Sequence, residues 1–380
     1  MSHAIRIAAP AAEAREGVTR VSAVVDGIPI WFESPDLPLT PSAEAFASAF
    51  LVPSLAQRRR LVSEGPLDSV WLANMPRLIE IFSGWWRYSR LLPEAAAGAA
   101  PASPPDPSRA RGRALFFSGG VDSFHALLHA PEPIDRLIFV EGLDMPLDDT
   151  ARVAATLAGI REVAAERGIG VVRVRTNLRD HPLVGKTPWE RANGGALAAI
   201  GHLLADSVRE VVIASSVAVA WNLTWGSHWE TDPLFSSSRL ALREAGHELR
   251  RLEKVRQIAG DALVQKHLRV CWVNLAPTGN CSKCGKCVLT RLMLADSGML
   301  DRFSGLAGSA TLVRDLDALP HDSHRASLND LVTLGKFAPE LREAARALLA
   351  RSNRVRRFPV RQRRALVRTL LRWTGALRRT

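Results

Sequence analysis

Phe116-Phe117-Ser118-Gly119-Gly120-Val121-Asp122-Ser123-Phe124 is the stretch on which the reading of this chain turns. The apolar residues 114–117 read as a short strand, and residues 121–129 read as the start of a helix. Two adjacent glycines let the backbone bend tightly between them and bring N–H groups against an anion. The helix start adds the positive end of its dipole. Ser118 and Ser123 supply hydroxyls at the two ends of the bend. Asp122 is out of place in a pure anion cradle; it reads as a helix N-cap or as a contact to Mg2+ carried in with phosphates. A capped Gly-Gly turn is the plainer alternative. The strand before it and the full Ser-Gly-Gly-Val-Asp-Ser string favour a phosphate grip.

Outward from this loop the pattern alternates. Strands are expected at residues 136–140, Gly170–Thr176 and 210–215, with helices at Thr150–Arg167 and residues 189–206 between them. Such alternation predicts a parallel sheet with helices on both faces. A helix over residues 249–266 and a strand over residues 268–273 follow. Residues 1–93 read as a separate small α+β unit: a strand or hairpin over residues 21–32 turning at Asp26-Gly27, then helices over residues 41–56 and 72–92. The Ala-, Pro- and Ser-rich residues 94–112 read as a linker.

All four cysteines, Cys271, Cys281, Cys284 and Cys287, fall in one short stretch. A disulfide framework scatters its cysteines; clustering points to a metal. Cys-x9-Cys-x2-Cys-x2-Cys with Gly285 in the knuckle suits tetrahedral Zn2+. Lys283, Lys286 and Arg291 are placed to offset the thiolate charge. A [4Fe–4S] cluster is the rival, but the proline that follows ferredoxin cysteines is absent: Val288-Leu289-Thr290 comes next.

The Ser118–Ser123 string resembles the signature of the PP-loop ATP pyrophosphatases. The cysteine cluster followed by a basic helix is similar to the zinc motif of the 7-cyano-7-deazaguanine (preQ0) synthases in that superfamily. The resemblance spans residues 113–296. It implies a doubly wound α/β sheet of the adenine nucleotide alpha hydrolase kind, in a domain of residues 113–300. It also implies cleavage of ATP between the α- and β-phosphates, with Ser118, Gly119, Gly120, Val121, Asp122 and Ser123 holding pyrophosphate. Val140 and Glu141 would lie against adenine. Glu253-Lys254-Val255 resembles the start of the family's Thr-Lys-Ala-Glu helix, which gives Lys254 a role at the nucleotide or substrate. The family carries Tyr-Gly-Gln after its second strand, where this chain has Glu141-Gly142-Leu143-Asp144. The implied activity is an AMP-forming ligase: a carboxylate or amide oxygen is adenylated, then ammonia or an amine displaces AMP. Alternatives are sulfur transfer to tRNA or a small molecule, and a nucleotide- or RNA-binding module without turnover.

Several further residues are candidates. Gly185-Lys186-Thr187 mimics the end of a Walker A loop, but Asp180 stands where its first glycine belongs and Pro182 and Pro188 flank it. Lys186 still reads as a contact to substrate or phosphate. Ser215 and Ser216 end a strand, where open α/β sheets bind ligands. Residues 221–232 hold three tryptophans with His228, Glu230 and Asp232; they read as a lid or as packing, with His228 a candidate general base. Trp189 and Asn193 open the helix facing this segment.

The net charge is +12, and twelve arginines with no acidic residue follow Glu343. The surplus thus belongs to a helical region, residues 301–380, whose tail (354–380) can form a basic amphipathic helix for RNA or an anionic membrane. The remainder is close to neutral. With no apolar run long enough to span a bilayer and no signal-peptide pattern, a cytoplasmic location is expected. A homodimer is compatible with the pattern.

Overall fold

A computed structural model describes residues 4–101, 112–321 and 324–356. The chain divides into two units: residues 1–118 with 126–248, and residues 119–125 with 249–380.

The first unit is mixed α/β, built on one large, mostly parallel sheet. Its N-terminal strands are β1 (Ile5–Ile7), β2 (Ala11–Arg15), β3 (Val18–Val25) and β4 (Ile28–Ser34). The hairpin β3–β4 turns where expected. Asp26 and Gly27 both have positive φ, at 50° and 84°, which lets Val25 pair with Ile28. Alternation then buries Val21, Ala23, Val25, Ile30 and Phe32 on one face. Helix α1 (Ala43–Gln57) starts on Ser42, whose Oγ accepts the Ala45 N–H at 3.1 Å. Strands β5 (Leu61–Ser63) and β6 (Leu67–Asp68) lead to α2 (Ser69–Trp86), capped by the Asp68 carboxylate. Next come β7 (Glu94–Ala95) and β8 (Ala99–Ala100), which pair in parallel with β5 and β6. Part of the expected linker is therefore hydrogen-bonded strand.

The parallel part follows: β9 (Gly112–Phe116), α3 (Val121–Leu128), β10 (Arg136–Glu141), α4 (Thr150–Arg167), β11 (Gly170–Thr176), α5 (Pro182–Gly185), α6 (Trp189–Leu203), β12 (Val208–Ala214) and β13 (Ala241–Ala245). The sheet order is β13-β12-β9-β10-β11-β4-β3-β1-β5-β7, with β2 on β3. From β13 to β11 every pairing is parallel. Chain order reverses between β9 and β12, so the strand that leads to the glycine loop borders the reversal.

The N-terminal region is not a separate unit, contrary to expectation. Strand β4 pairs antiparallel with β11, through Arg175–Glu33 and Thr176–Phe32, and covers what would be an open edge. Helix α1 also lies so close to α6 that a Cβ on Gly195 would sit 2.3 Å from the Ser48 carbonyl oxygen. The expected domain of residues 113–300 is split, because residues 119–125 and 249 onward form the second unit. Strand β13 was not anticipated: Ala-Leu-Arg-Glu-Ala carries little β propensity, and its place on β12 makes it a strand.

The second unit is helical. The helix expected over residues 249–266 is two helices, α7 (Arg251–Ile258) and α8 (Ala262–His267), broken at Gly260 and restarted by Asp261, whose carboxylate caps α8. Helices α9 (Gly285–Asp296), α10 (Leu312–Ala318), α11 (Arg325–Leu334) and α12 (Pro339–Arg356) complete it. Residues 268–273 form no strand. The expected basic amphipathic helix lies, from residue 357 onward, outside the described residues. Among the described residues no helix is long and apolar enough to cross a membrane.

Candidate functional site

The glycine loop enters the second unit at Gly119, where φ is +73°. The Gly119 carbonyl accepts the Arg269 N–H at 2.8 Å, and a Cβ here would come 3.4 Å from the His267 carbonyl. The Gly120 carbonyl accepts the Phe124 N–H at 2.9 Å and the Ser123 hydroxyl at 3.1 Å. Helix α3 therefore begins with Gly120 as its cap and Asp122 inside the first turn, so Asp122 is not the N-cap. No partner is found among the described residues for the N–H groups of Gly120, Val121, Asp122 and Ser123. A helix start with unpartnered amides attracts an anion.

The charges around the loop reinforce that pull. Arg251 Nη2 reaches Asp122 Oδ2 at 2.5 Å, and Lys254 Nζ reaches Asp122 Oδ1 at 3.1 Å. The Lys254 side chain is 2% exposed and that of Asp122 16%. Burial pushes the Asp122 carboxyl up, but the charges of Arg251 and Lys254, the Arg251 hydrogen bond and the charge of Lys286 hold it well below the usual carboxylate range. Three cations thus act on one carboxylate. His324 adds no charge, because burial, Arg251 and Lys286 push its pKa down to about 3. His125 Nε2 lies 2.8 Å from Gln257 Oε1 and joins α3 to α7. Arg251 was missed in the sequence. Its spacing of three from Lys254, which sets both on one face of α7, was the available signal.

The four thiols converge. Their Sγ atoms all lie within 4.8 Å of one another, with Cys271–Cys284 at 4.0 Å and Cys281–Cys287 at 3.9 Å. Tetrahedral Zn–S bonds would set neighbouring sulfurs about 3.8 Å apart. The Cys284 N–H points at Cys281 Sγ at 3.3 Å, as a knuckle around thiolates requires. Hydrogen bonds from the other three thiols hold Cys271 far below the ordinary thiol range. Hydrogen bonds with Cys271, Cys281 and Cys284 push Cys287 far above it. Cys281 is lowered as well, to about 6, while its neighbours push Cys284 up, so the thiols share their protons unevenly, and a cation would favour the thiolate form of all four. These residues could hold a metal ion such as zinc. Arg291 does not offset the thiolates as expected. It is fully buried and pairs with Asp315 at 2.7 Å, while donating to the carbonyls of Ser282, Ala307 and Gly308 and to the Thr311 hydroxyl. Lys283 is exposed.

The remaining candidates belong to the first unit. Ser118 is exposed and follows β9; Val140 and Glu141 end β10; Ser215 and Ser216 follow β12. Pairing aligns these strand ends at one edge of the parallel sheet. The Glu141 side chain is not offered to a ligand. It is buried and engaged by Arg173 and Arg175, an ion pair that the alternation of β11 supplies. Ser215 is buried, donating to the Val217 carbonyl at 2.8 Å. Lys186 is exposed beyond α5.

Within the tryptophan segment, His228 and Trp229 pack against other rings, while residues 222–224 are exposed. His228 stacks on Trp229 at 3.5 Å and meets Trp85 edge-on at 4.7 Å, and Trp229 stacks on His247. Burial and the charge of His247 lower the His228 pKa to about 4. Its Nδ1 accepts the Glu230 N–H at 3.2 Å, which uses the lone pair a general base would need. Trp189 Nε1 donates to Asp144 at 3.1 Å, and Arg179 lies over its ring. Asn193 approaches the Gly226 backbone. No protein-family model matches the chain, and no curated protein or solved structure matches it either.

Proposed function

We propose that this chain is an ATP pyrophosphatase of the AMP-forming ligase type, with the loop Gly119–Ser123 gripping the leaving pyrophosphate. The observation that supports this reading most is the cation excess at the loop. Arg251 and Lys254 are held on Asp122 beside a helix start whose amides lack partners among the described residues. The strand order, which reverses between β9 and β12, supports reading the sheet as a doubly wound nucleotide-binding one.

In this reading the β- and γ-phosphates of ATP lie on the loop amides. A substrate carboxylate or amide oxygen attacks the α-phosphate and forms an acyl- or imidoyl-adenylate. The α–β bridging oxygen leaves with pyrophosphate, whose added charge the loop amides, Lys254 and Arg251 stabilise. Ammonia or an amine then attacks the activated carbon, AMP departs, and a proton is released. Both oxygens of Asp122 are engaged by cations, so this carboxylate does not fit an Mg2+ ligand in this arrangement, and no step is assigned to the ion. Its role is to orient Arg251 and Lys254. We read the four thiols as a structural zinc site, since four sulfur ligands leave no open position. Reduced thiols of this kind suit a cytoplasmic setting.

The test is ATP turnover against a panel of carboxylic acids and amides with ammonium or amine donors, with nucleotide products separated. AMP and pyrophosphate in equal amounts, dependent on one acid, are expected. Formation of ADP and phosphate, or no acid-dependent AMP across the panel, would overturn the proposal.

A further inference from the structure

The segment between α8 and Cys271 belongs to neither a helix nor a sheet. On one side the Arg269 N–H donates to the Gly119 carbonyl at 2.8 Å. On the other, Asn280 uses its whole amide on the same segment and its neighbour. Its Oδ1 accepts the N–H groups of Val270 (2.8 Å) and Cys271 (3.1 Å). Its Nδ2 donates to the carbonyls of Leu268 (2.8 Å) and Gly305 (3.2 Å). Asn280 immediately precedes Cys281, so one side chain spans the two halves of the thiol cluster, and the strip it holds is the strip that holds Gly119. A second link is electrostatic: Lys286, between the ligands Cys284 and Cys287, contributes to keeping Asp122 ionised.

We propose that Asn280 is a positioning residue that couples the metal site to the nucleotide loop, so that metal binding orders Gly119–Ser123 for phosphate. The proposal rests on the pyrophosphatase reading only for the identity of the ligand; the coupling itself is a property of the second unit. With the four thiols converged, Asn280 is fixed beside Cys281 and clamps residues 268–271, and Arg269 pins Gly119 in its left-handed conformation. With the thiols apart, the strip loses one of its two sides.

The experiment compares full-length wild type, Asn280→Ala and Asn280→Asp. Asn280→Asp keeps the acceptor and removes the donors. Three readouts are taken. They are cobalt substitution with its thiolate charge-transfer absorption, amide hydrogen exchange of peptides covering residues 117–125 and of peptides in α11 and α12, and calorimetric binding of inorganic pyrophosphate and Mg-ATP. Asn280→Ala is expected to bind one cobalt with the wild-type spectrum. Its loop should exchange about tenfold faster and hold pyrophosphate about tenfold more weakly, as for a lost hydrogen-bonding side chain. Asn280→Asp should recover part of both losses, and chelated wild type should lose protection at the loop at least as far as Asn280→Ala does. Wild-type exchange at the loop of Asn280→Ala overturns the coupling. So does exchange that rises equally in α11 and α12, since the residue would then be merely structural. If wild type binds neither pyrophosphate nor ATP, the pyrophosphatase reading falls, and the exchange data still decide the coupling.

Discussion

Lys254 Nζ lies 3.1 Å from Asp122 Oδ1, joining residues 132 positions apart, and Arg251 closes on the other oxygen of the same carboxylate. Neither cation alone would be stable in so buried a place, and Asp122 serves both. Asp122→Asn is therefore expected to leave two buried cations without a counter-charge and to lower the stability of the second unit by about 3–5 kcal/mol. Lys254→Met keeps the Asp122–Arg251 pair, so its fold should survive while acid-dependent AMP formation drops about a hundredfold. Denaturant titrations beside product assays separate the two effects. Equal loss of stability in both variants would remove the distinction.

The same carboxylate makes a pH prediction. Its pKa is depressed in the folded chain below its ordinary value of 3.8. The unfolded chain therefore takes up a proton first as pH falls, and the stabilisation is complete above that value and lost below it. Unfolding of the second unit should become easier as pH drops through the region below 4, and Asp122→Asn should flatten that part of the profile. A profile unchanged by the substitution would contradict the assignment.

Asp232 predicts the opposite slope in the first unit. Burial and the nearby charge of Glu244 raise its pKa to about 8, against hydrogen bonds from Ser227 and the backbone. Between 3.8 and about 8 the folded chain keeps a proton that the unfolded chain releases, so this residue costs increasing stability as pH rises. Asp232→Asn, neutral at every pH, should melt at or above the wild type at pH 8 and lose that advantage toward pH 5. A melting temperature well below wild type at pH 8 would show that the carboxyl is ionised there.

Much of the architecture was legible because local and global signals agree. Asp26-Gly27 supplies the positive φ its hairpin needs, and Thr150–Arg167 and Gly170–Thr176 carry clean periods bounded by Gly168, which takes φ +66° as a cap. The failures share another cause. Pairing of β4 with β11 is a contact between distant residues that no local pattern encodes, and β13 is a strand only because β12 offers it an edge. Residues 268–273 have strand-like sequence, yet Asn280 and Gly119 take the backbone groups a ladder would use. At the site, the loop and the thiols were visible as motifs. Arg251 was not, because among Arg250, Arg251 and Arg256 only its spacing from Lys254 marks it, and charge alone shows nothing of burial.

Gly195 tests the close approach of α1 and α6. A methyl group there would meet the Ser48 carbonyl oxygen at 2.3 Å, a backbone atom that cannot swing aside. Alanine would normally favour a helix over glycine, so the intrinsic effect is stabilising by up to about 1 kcal/mol. The clash runs the other way and should win: Gly195→Ala is expected to destabilise the first unit by about 1–3 kcal/mol, as overpacked cores do. Gly260→Ala is the control, since nothing among the described residues lies within 4 Å of its added carbon. Thermal melts in which Gly195→Ala matches that control would mean the helices separate at little cost.

Metal removal makes the last prediction. Three of the four thiols are buried, and Arg291 ties the knuckle carbonyl of Ser282 to Asp315 and to residues 307–311. With a dication on the thiols, α9 and this buried arginine share one anchored core. Without it, the sulfurs lose the ion that holds them together, and Arg291 is left near a loosened knuckle. Structural zinc in small sites is worth about 10–16 kcal/mol of binding, far more than a helical unit's own stability. Elemental analysis should therefore find one zinc per chain, and a strong chelator should abolish the melting transition of the second unit while leaving that of the first in place. Cys287→Ser should do the same without chelator. An unchanged second transition after complete zinc loss would show that packing alone sustains the unit, and iron in place of zinc would overturn the choice of metal.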